Sequence, residues 1–296
     1  MRTHVKFSLL KGTLFVFTIL FFGVASSAYA AISPTLGAAG SYSILSGAAV
    51  TNTGPTSMPG NLGVSPGIGV GPHYSGFPPG SVGPPGSIHD TDANASLAQA
   101  DNTTSFGYID QNCTVTYQGT KDLSGENLVP GVYCAGAFAL SGTLTLNGTS
   151  GVWIFKSAST LVTTGEATVL GGDPCNVWWR VVSSATLGTG TTFVGNILAY
   201  AQIAIQTGAT LNGRAMTQTA AVTLDSNTIT GANCLTANTG SGTTGTHTDS
   251  ANSAPTMLPS TGLAFDPWTF WLAMVLAGVI TFLIYLISSK LKSKRS

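Results

Sequence analysis

Two stretches of this chain, SATLGTGTTFVGNILA (184–199) and QIAIQTGATLNGRAMT (202–217), superpose at an offset of 18 residues. The shift pairs Thr192 with Thr210, Phe193 with Leu211, Gly195 with Gly213 and Ile197 with Ala215. A shorter copy, SNTITGAN (226–233), continues it through Thr228, Ile229 and Gly231. The segment TLVTTGEATVLGG (160–172) matches at a shift of 42, which sets Thr168 beside Thr210. Self-similarity at a short fixed period predicts a solenoid, because one such unit cannot bury its apolar side alone and must stack on its neighbours. Alternation in Thr-Leu-Asn and Thr-Ile-Thr turns the central apolar residue inward and its neighbours outward. Thr168, Thr192, Thr210 and Thr228 then form an outward column, its members about 4.8 Å apart where coils stack directly. Residues 184–233 hold 11 Thr and only two charges, Arg214 and Asp225. A stacked, Thr-rich and nearly uncharged surface is where the function is expected.

Charge placement narrows the function classes. Only 7% of the 296 residues are charged, far below the usual quarter. The basic residues of the body are Lys121, Lys156, Arg180 and Arg214, none near another in sequence, so a nucleic-acid surface is not expected. Catalysis needs converging acids, bases or cations. The body offers two histidines, His73 and His89, and carboxylates such as Glu166, Asp173 and Asp225 that form no paired pattern across coils. No G-x-S-x-G, P-loop or H-E-x-x-H motif occurs, and no enzymatic activity, cofactor or metal is expected. Asp225-Ser226-Asn227 reads as a turn.

Residues 31–89 are rich in Gly, Pro, Ser and Thr and read as short strands joined by tight turns. Residues 90–111 change character. Ala93, Leu97, Ala100, Thr104 and Tyr108 form one stripe at helical spacing, with Asp90 or Thr91 as N-cap, packed along a side of the solenoid. The cysteines Cys113, Cys134, Cys175 and Cys234 allow three pairings in an exported protein. Cys113–Cys134 with Cys175–Cys234 is favoured, the second bridge clamping the Thr-rich coils as a closed loop.

Both ends read as export and anchoring devices. Residues 1–30 carry Arg2, Lys6 and Lys11, an apolar run and the Ala28-Tyr29-Ala30 cleavage pattern, a secretory signal peptide cut after Ala30. Residues 31–237 are the solenoid domain and 238–257 a flexible Ser/Thr/Gly spacer. Then follow Leu258-Pro259-Ser260-Thr261-Gly262, an apolar run over 263–287 and a basic tail over 288–296. The run exceeds the roughly 20 residues a spanning helix requires. Trp268, Trp271 and Tyr285 suit its interfaces, and Lys290, Lys292, Lys294 and Arg295 the cytoplasmic side. This order resembles a sortase sorting signal. The resemblance implies cleavage between Thr261 and Gly262 and joining to cell-wall peptidoglycan, with the C-terminal helix holding the chain in the membrane beforehand. An unsorted chain is a single-pass membrane protein, and the body lies outside the cell either way.

Several further motifs carry a second resemblance. They are Leu36-Gly37-Ala38-Ala39-Gly40-Ser41-Tyr42, Thr51-Asn52-Thr53-Gly54-Pro55, Gly60-Asn61-Leu62-Gly63-Val64-Ser65-Pro66-Gly67 and Gly76-Phe77-Pro78-Pro79-Gly80. Pro130-Gly131-Val132-Tyr133, Val152-Trp153-Ile154-Phe155, Cys175-Asn176-Val177-Trp178-Trp179 and Gly195-Asn196-Ile197-Leu198-Ala199 continue the series. Together they resemble a microbial ice-binding family over residues 35–234. The resemblance implies a mainly β fold, a right-handed discontinuous parallel β-helix of triangular section with one long α-helix alongside. It also implies a monomer that adsorbs to ice through a flat solenoid face. Some members carry T-(A/G)-x-(T/N) on that face. Thr189-Gly190-Thr191-Thr192, Thr207-Gly208-Ala209-Thr210 and Thr230-Gly231-Ala232-Asn233 fit the pattern, whereas Thr164-Gly165-Glu166-Ala167 departs from it. The expected ice contacts are thus Thr189, Thr191, Thr192, Thr207, Thr210, Thr228 and Thr230. The competing function class is a surface adhesin for a repetitive polysaccharide.

Overall fold

The computed structural model describes residues 30–148, 150–231 and Cys234. The spacer, the Leu258–Gly262 motif, the apolar run, the basic tail and all but the last residue of the expected signal peptide lie outside the described residues. Among the described residues no helix is long and apolar enough to cross a membrane.

The offset read from the sequence is the structural register. Strand Thr192–Ala199 pairs in parallel with Thr210–Thr217 from Thr192↔Thr210 through to Ala199↔Thr217. Both strands turn midway, at Gly195 and Gly213, onto a new side of the coil. A Cβ on Gly213 would stand 2.0 Å from the Gly195 carbonyl oxygen, and its φ is +154°. Only glycine fits there.

Each complete coil therefore has three sides. The first carries strands such as Tyr42–Ser46, Gly131–Ala135, Trp153–Ser157 and Val177–Val181. The second is an eight-stranded parallel sheet. Its order is Tyr74–Ser75, Val50–Thr53, Val222–Asp225, Ile203–Ile205, Ala185–Leu187, Leu161–Thr163, Ala137–Leu140 and Thr120–Asp122. The third carries Thr143–Leu146, Thr168–Gly171, the first halves of the two long strands, Thr228–Ile229, Ser57–Met58 and Ser81–Val82.

The stacking order is not the chain order. Tyr42–Ser46 pairs with Thr210–Thr217, Val50–Thr53 with Val222–Asp225, and Ser57–Met58 with Thr228–Ile229. The N-terminal coils thus continue the solenoid beyond its last C-terminal coil, and the helix and the middle of the chain are inserted between them. Arg214 helps hold this junction. Its guanidinium is buried and donates to Gly40 O at 2.8 Å and Asn196 Oδ1 at 3.0 Å. Burial pushes its pKa down to about 10.

Alternation along each strand packs the interior. Leu144, Val169, Phe193, Leu211 and Ile229 line it from the third side, and Phe138, Leu161, Ala185, Ile203, Val222 and Val50 from the eight-strand side. An aromatic stack runs through the coils. Phe155 lies 5.4 Å from Tyr133 and 4.0 Å from Trp179, which lies 4.8 Å from Phe193. Trp179 Nε1 donates to Val194 O and Trp153 Nε1 to Leu128 O, so neither indole N–H is buried unpaired.

The helix spans Ala93–Tyr108 and covers the first side, but its face is not the expected one. Asp92, rather than Asp90 or Thr91, caps it by accepting from Ala95 N at 2.8 Å. Leu97 and Tyr108 of the predicted stripe are 58% and 51% exposed. The buried residues are Ala95, Ala98, Gln99, Asn102 and Ser105, followed by Ile109. The reason is chemical. Gln99 Nε2 donates to the carbonyls of Thr217 and Gln218, and Ser105 Oγ to that of Thr35. The docking face is recruited to satisfy backbone acceptors, which apolar periodicity does not register. Both favoured disulfides are present, Cys113–Cys134 and Cys175–Cys234.

Candidate functional site

The helix hides one side of the solenoid and leaves the other two to solvent. On the third side the expected column is real and longer than the repeat alone indicated. Thr143, Thr168, Thr192, Thr210, Thr228, Ser57 and Ser81 are consecutive register partners. The neighbouring row is uneven. Leu170 is half exposed, and Thr230 Oγ1 donates to Asn212 Oδ1 at 2.9 Å. Only the edge of this side bordering the eight-strand face is regular.

The eight-strand face is regular across its width. Its outward column reads Ser75, Thr51, Thr223, Ala204, Thr186, Val162, Ala139 and Asp122, each the register partner of the next. From Thr51 to Ala139 every member is small or β-branched, carries at least one methyl group and bears no charge. This column escaped the sequence reading because Ala and Val interrupt the Thr pattern and because Thr51 and Ser75 lie far from Thr223 in the chain. The alternation Ile203-Ala204-Ile205 and Val222-Thr223-Leu224 was its only available signal.

The T-G-x-T pattern straddles the corner between these two sides. Thr189 and Thr207 are exposed at the end of the eight-strand face, while Thr192 and Thr210 open the third side. Gly190 and Gly208 make the corner with φ of +71° and +70°. Thr191 is a correction to the expected contacts. It is fully buried, with its hydroxyl 2.7 Å from that of Thr163, which also accepts from Gly188 N. A β-branched polar residue at the inward position of a tight corner satisfies interior groups instead of meeting solvent. Thr230 is exposed and follows Thr228–Ile229 on the third side, not at the corner that Thr189 and Thr207 border, and Ala232 and Asn233 lie outside the described residues. Thr207 Oγ1 donates to Asp225 Oδ2, and Ser226, with φ of +54°, makes the expected turn after Asp225. Glu166 stands exposed at the corner in the coil that departs from the pattern.

On the eight-strand face the outward charges sit at its borders, Asp122 in the end strand and Asp225 beside Thr207, and a group of ion pairs lies near the helix. Lys156 Nζ lies 2.6 Å from Asp110 Oδ1 and Arg180 Nη2 3.2 Å from Asp110 Oδ2, beside the C-terminal end of the helix. The hydrogen bond from Lys156, aided by the Arg180 charge, holds the Asp110 carboxyl below its ordinary pKa. Lys121 pairs with Glu126 in the coil at the far end. Among the described residues no cluster of three or more His, Cys, Asp or Glu side chains is placed to hold a metal. Three cavities of about 520, 370 and 330 Å³ lie at residues 40–43, 33–37 and 108–112 with their neighbours, none of them on the eight-strand face.

Comparison with known proteins agrees with this architecture. The ice-binding-like family model matches residues 44–230. An ice-binding protein of Nostoc sp. (strain HG1) is 38% identical over 221 residues, covering 72% of this chain and 80% of the relative. One from Colwellia sp. is 32% identical, covering 66% and 82%. The crystal structure of an ice-binding protein from the Antarctic ascomycete Antarctomyces psychrotrophicus superposes with a TM-score of 0.62 at 40% identity, covering 67% of this chain and 98% of that one. With most of its described coils inside the matched span and relatives aligned over most of their length, this chain belongs to the ice-binding-like family.

Proposed function

We propose that the domain adsorbs to ice through its eight-strand face, with Thr189 and Thr207 at the bordering corner. The observation that carries this reading is the uncharged outward column Thr51, Thr223, Ala204, Thr186, Val162 and Ala139, held in register across six adjacent strands. Ice presents a repeating oxygen lattice and no unique chemical handle, so a protein holds it by many weak contacts at matched spacing. Stacked strands set that spacing at about 4.8 Å. Methyl groups desolvate easily, and Thr hydroxyls can anchor ordered water between them. β-Branched side chains have few rotamers, so little freedom is lost on contact. The adjoining column of Thr192, Thr210 and Thr228 is the second reading, favoured by its unbroken run of hydroxyls.

In the same proposal the protein is exported by residues 1–30 and held at the cell surface by the 258–262 motif, through sortase and peptidoglycan, or by the 263–287 span if unsorted. Purified residues 31–240 are expected to shape ice crystals and show thermal hysteresis. Absence of both, with retention on a polysaccharide, would replace ice adsorption by adhesion to a polymer. Thr261→Ala is expected to release the protein from the wall fraction or leave it in the membrane; unchanged wall attachment rules out the sorting reading.

A further inference from the structure

Each complete coil crosses the helix-covered side, then the eight-strand face, then the third side, before returning. The corner between the third and the helix-covered sides is therefore the one edge that does not border the eight-strand face. The C-terminal end of the described chain lies at it, and the N-terminal segment touches it at Ser33 before running on to Gln111 at the end of the helix. Cys175 sits in the turn Pro174–Asn176, between Thr168–Gly171 of the third side and Val177–Val181 of the helix-covered side. Its disulfide to Cys234 pins the C-terminal end of the domain to that turn. Arg214 Nη1, 3.3 Å from Cys234 Sγ, adds a second hold. At the N-terminal end Ser33 Oγ donates to Asn176 Oδ1 at 2.9 Å and accepts from Trp178 Nε1 at 3.0 Å.

We propose that this edge is the attachment side of the domain, opposite the ice-contacting side, so that the protein links ice to whatever holds its C-terminus. The proposal rests on the eight-strand reading above. The described fold ends at Cys234, on the edge that does not border the eight-strand face. Ice and the holder can then occupy opposite sides of the domain at once. The inferred activity is adhesion of a surface to ice, beyond adsorption of a free protein.

The test immobilises the domain on beads in three orientations. The Antarctomyces relative is covered over 98% of its length by this domain, so residues 31–240 are a reasonable folding unit. One preparation is coupled through a biotin at the C-terminal end. A second is coupled through Thr223→Cys, on the outward column of the eight-strand face, and a third through Leu97→Cys, on the exposed side of the helix. Beads are mixed with growing ice, and the fraction captured is counted. C-terminal and Leu97 beads are expected to be captured, with capture lost for the Thr223 beads. Equal capture of all three overturns the orientation while leaving ice adsorption intact. Capture of the Thr223 beads alone overturns the face as well. The uncoupled proteins serve as controls: failure of the unmodified domain to shape ice defeats the ice reading itself and the proposal with it. The uncoupled Thr223→Cys protein, measured beside the parent, gives the part of any loss that the substitution itself causes, and only a loss of bead capture beyond that part is assigned to orientation.

Discussion

Ala204 sits near the middle of the outward column, between Thr186 and Thr223, with Ile203 and Ile205 turned into the core on either side. Replacing it with Tyr leaves the core untouched and raises a phenol above the face. The six strands from Ala139 to Thr51 span about 24 Å at the ordinary strand spacing. A gap of only 0.5–1 Å forfeits about a quarter to a half of a contact's dispersion attraction, and a phenol props a flat crystal plane higher than that. The plane can tilt onto one side of the obstruction only, so about three column positions lose contact. At about 0.8 kcal/mol for each methyl group no longer removed from water, the loss is about 2.4 kcal/mol, or about 50-fold in affinity. Thermal hysteresis over a concentration series, with partition of labelled protein into growing ice, measures this. Thr210→Tyr on the adjoining side is the matched control and is expected to stay near the parent. Both substitutions are at outward positions and should change stability by no more than about 0.5 kcal/mol, or about 2 °C in Tm for a domain of this size. Full activity in Ala204→Tyr together with loss in Thr210→Tyr would refute the assignment and move the contact to the Thr192/Thr210/Thr228 column.

Other expectations concern the frame behind the face. Removing Cys175–Cys234, which closes a sequence separation of 59, should cost about 4 kcal/mol by chain entropy, against about 3 for Cys113–Cys134 with its separation of 21. Calorimetry of the two double-Ser variants should rank them in that order, and the reverse ranking counts against loop closure as the main contribution. Gln99→Ala removes the side-chain donor of the Gln218 carbonyl and leaves that of Thr217 with only the longer bond from Asn102, and should destabilise by about 1–3 kcal/mol. Leu97→Ala, on the exposed side of the same helix, should change little, and equal losses would contradict the polar docking face. The Lys156 hydrogen bond and the Arg180 charge hold the folded Asp110 carboxyl below its ordinary value, so the unfolded chain binds its proton first as pH falls. Its contribution is present above that value and is lost as pH drops through the folded pKa. Denaturant titrations below pH 4 should show a shallower acid loss in Asp110→Asn than in the parent, and parallel curves would show that Lys156 and Arg180 do not favour its charged form.

The offset of 18 residues determined more of this protein than any other feature of its sequence. Stacking follows from the offset, since the register between Thr192–Ala199 and Thr210–Thr217 repeats it residue for residue. Alternation was sufficient to place Leu211 and Ile229 inside, with Thr210 and Thr228 outside, because a strand's side chains can point only two ways. Local pattern was less reliable where long-range partners decide a residue's environment. Thr191 reads like its neighbours but turns inward to Thr163, and the buried side of the helix is chosen by carbonyls of residues 217 and 218 rather than by its own apolar spacing. The tertiary structure alone set the order of the coils. Thr51 and Ser57 become neighbours of Thr223 and Thr228 because the N-terminal coils stack beyond the C-terminal ones. No periodicity within either segment encodes that junction, since strand pairing joins whichever edges the fold brings together. It lengthens both outward columns and leaves the chain's exit on the edge away from the eight-strand face.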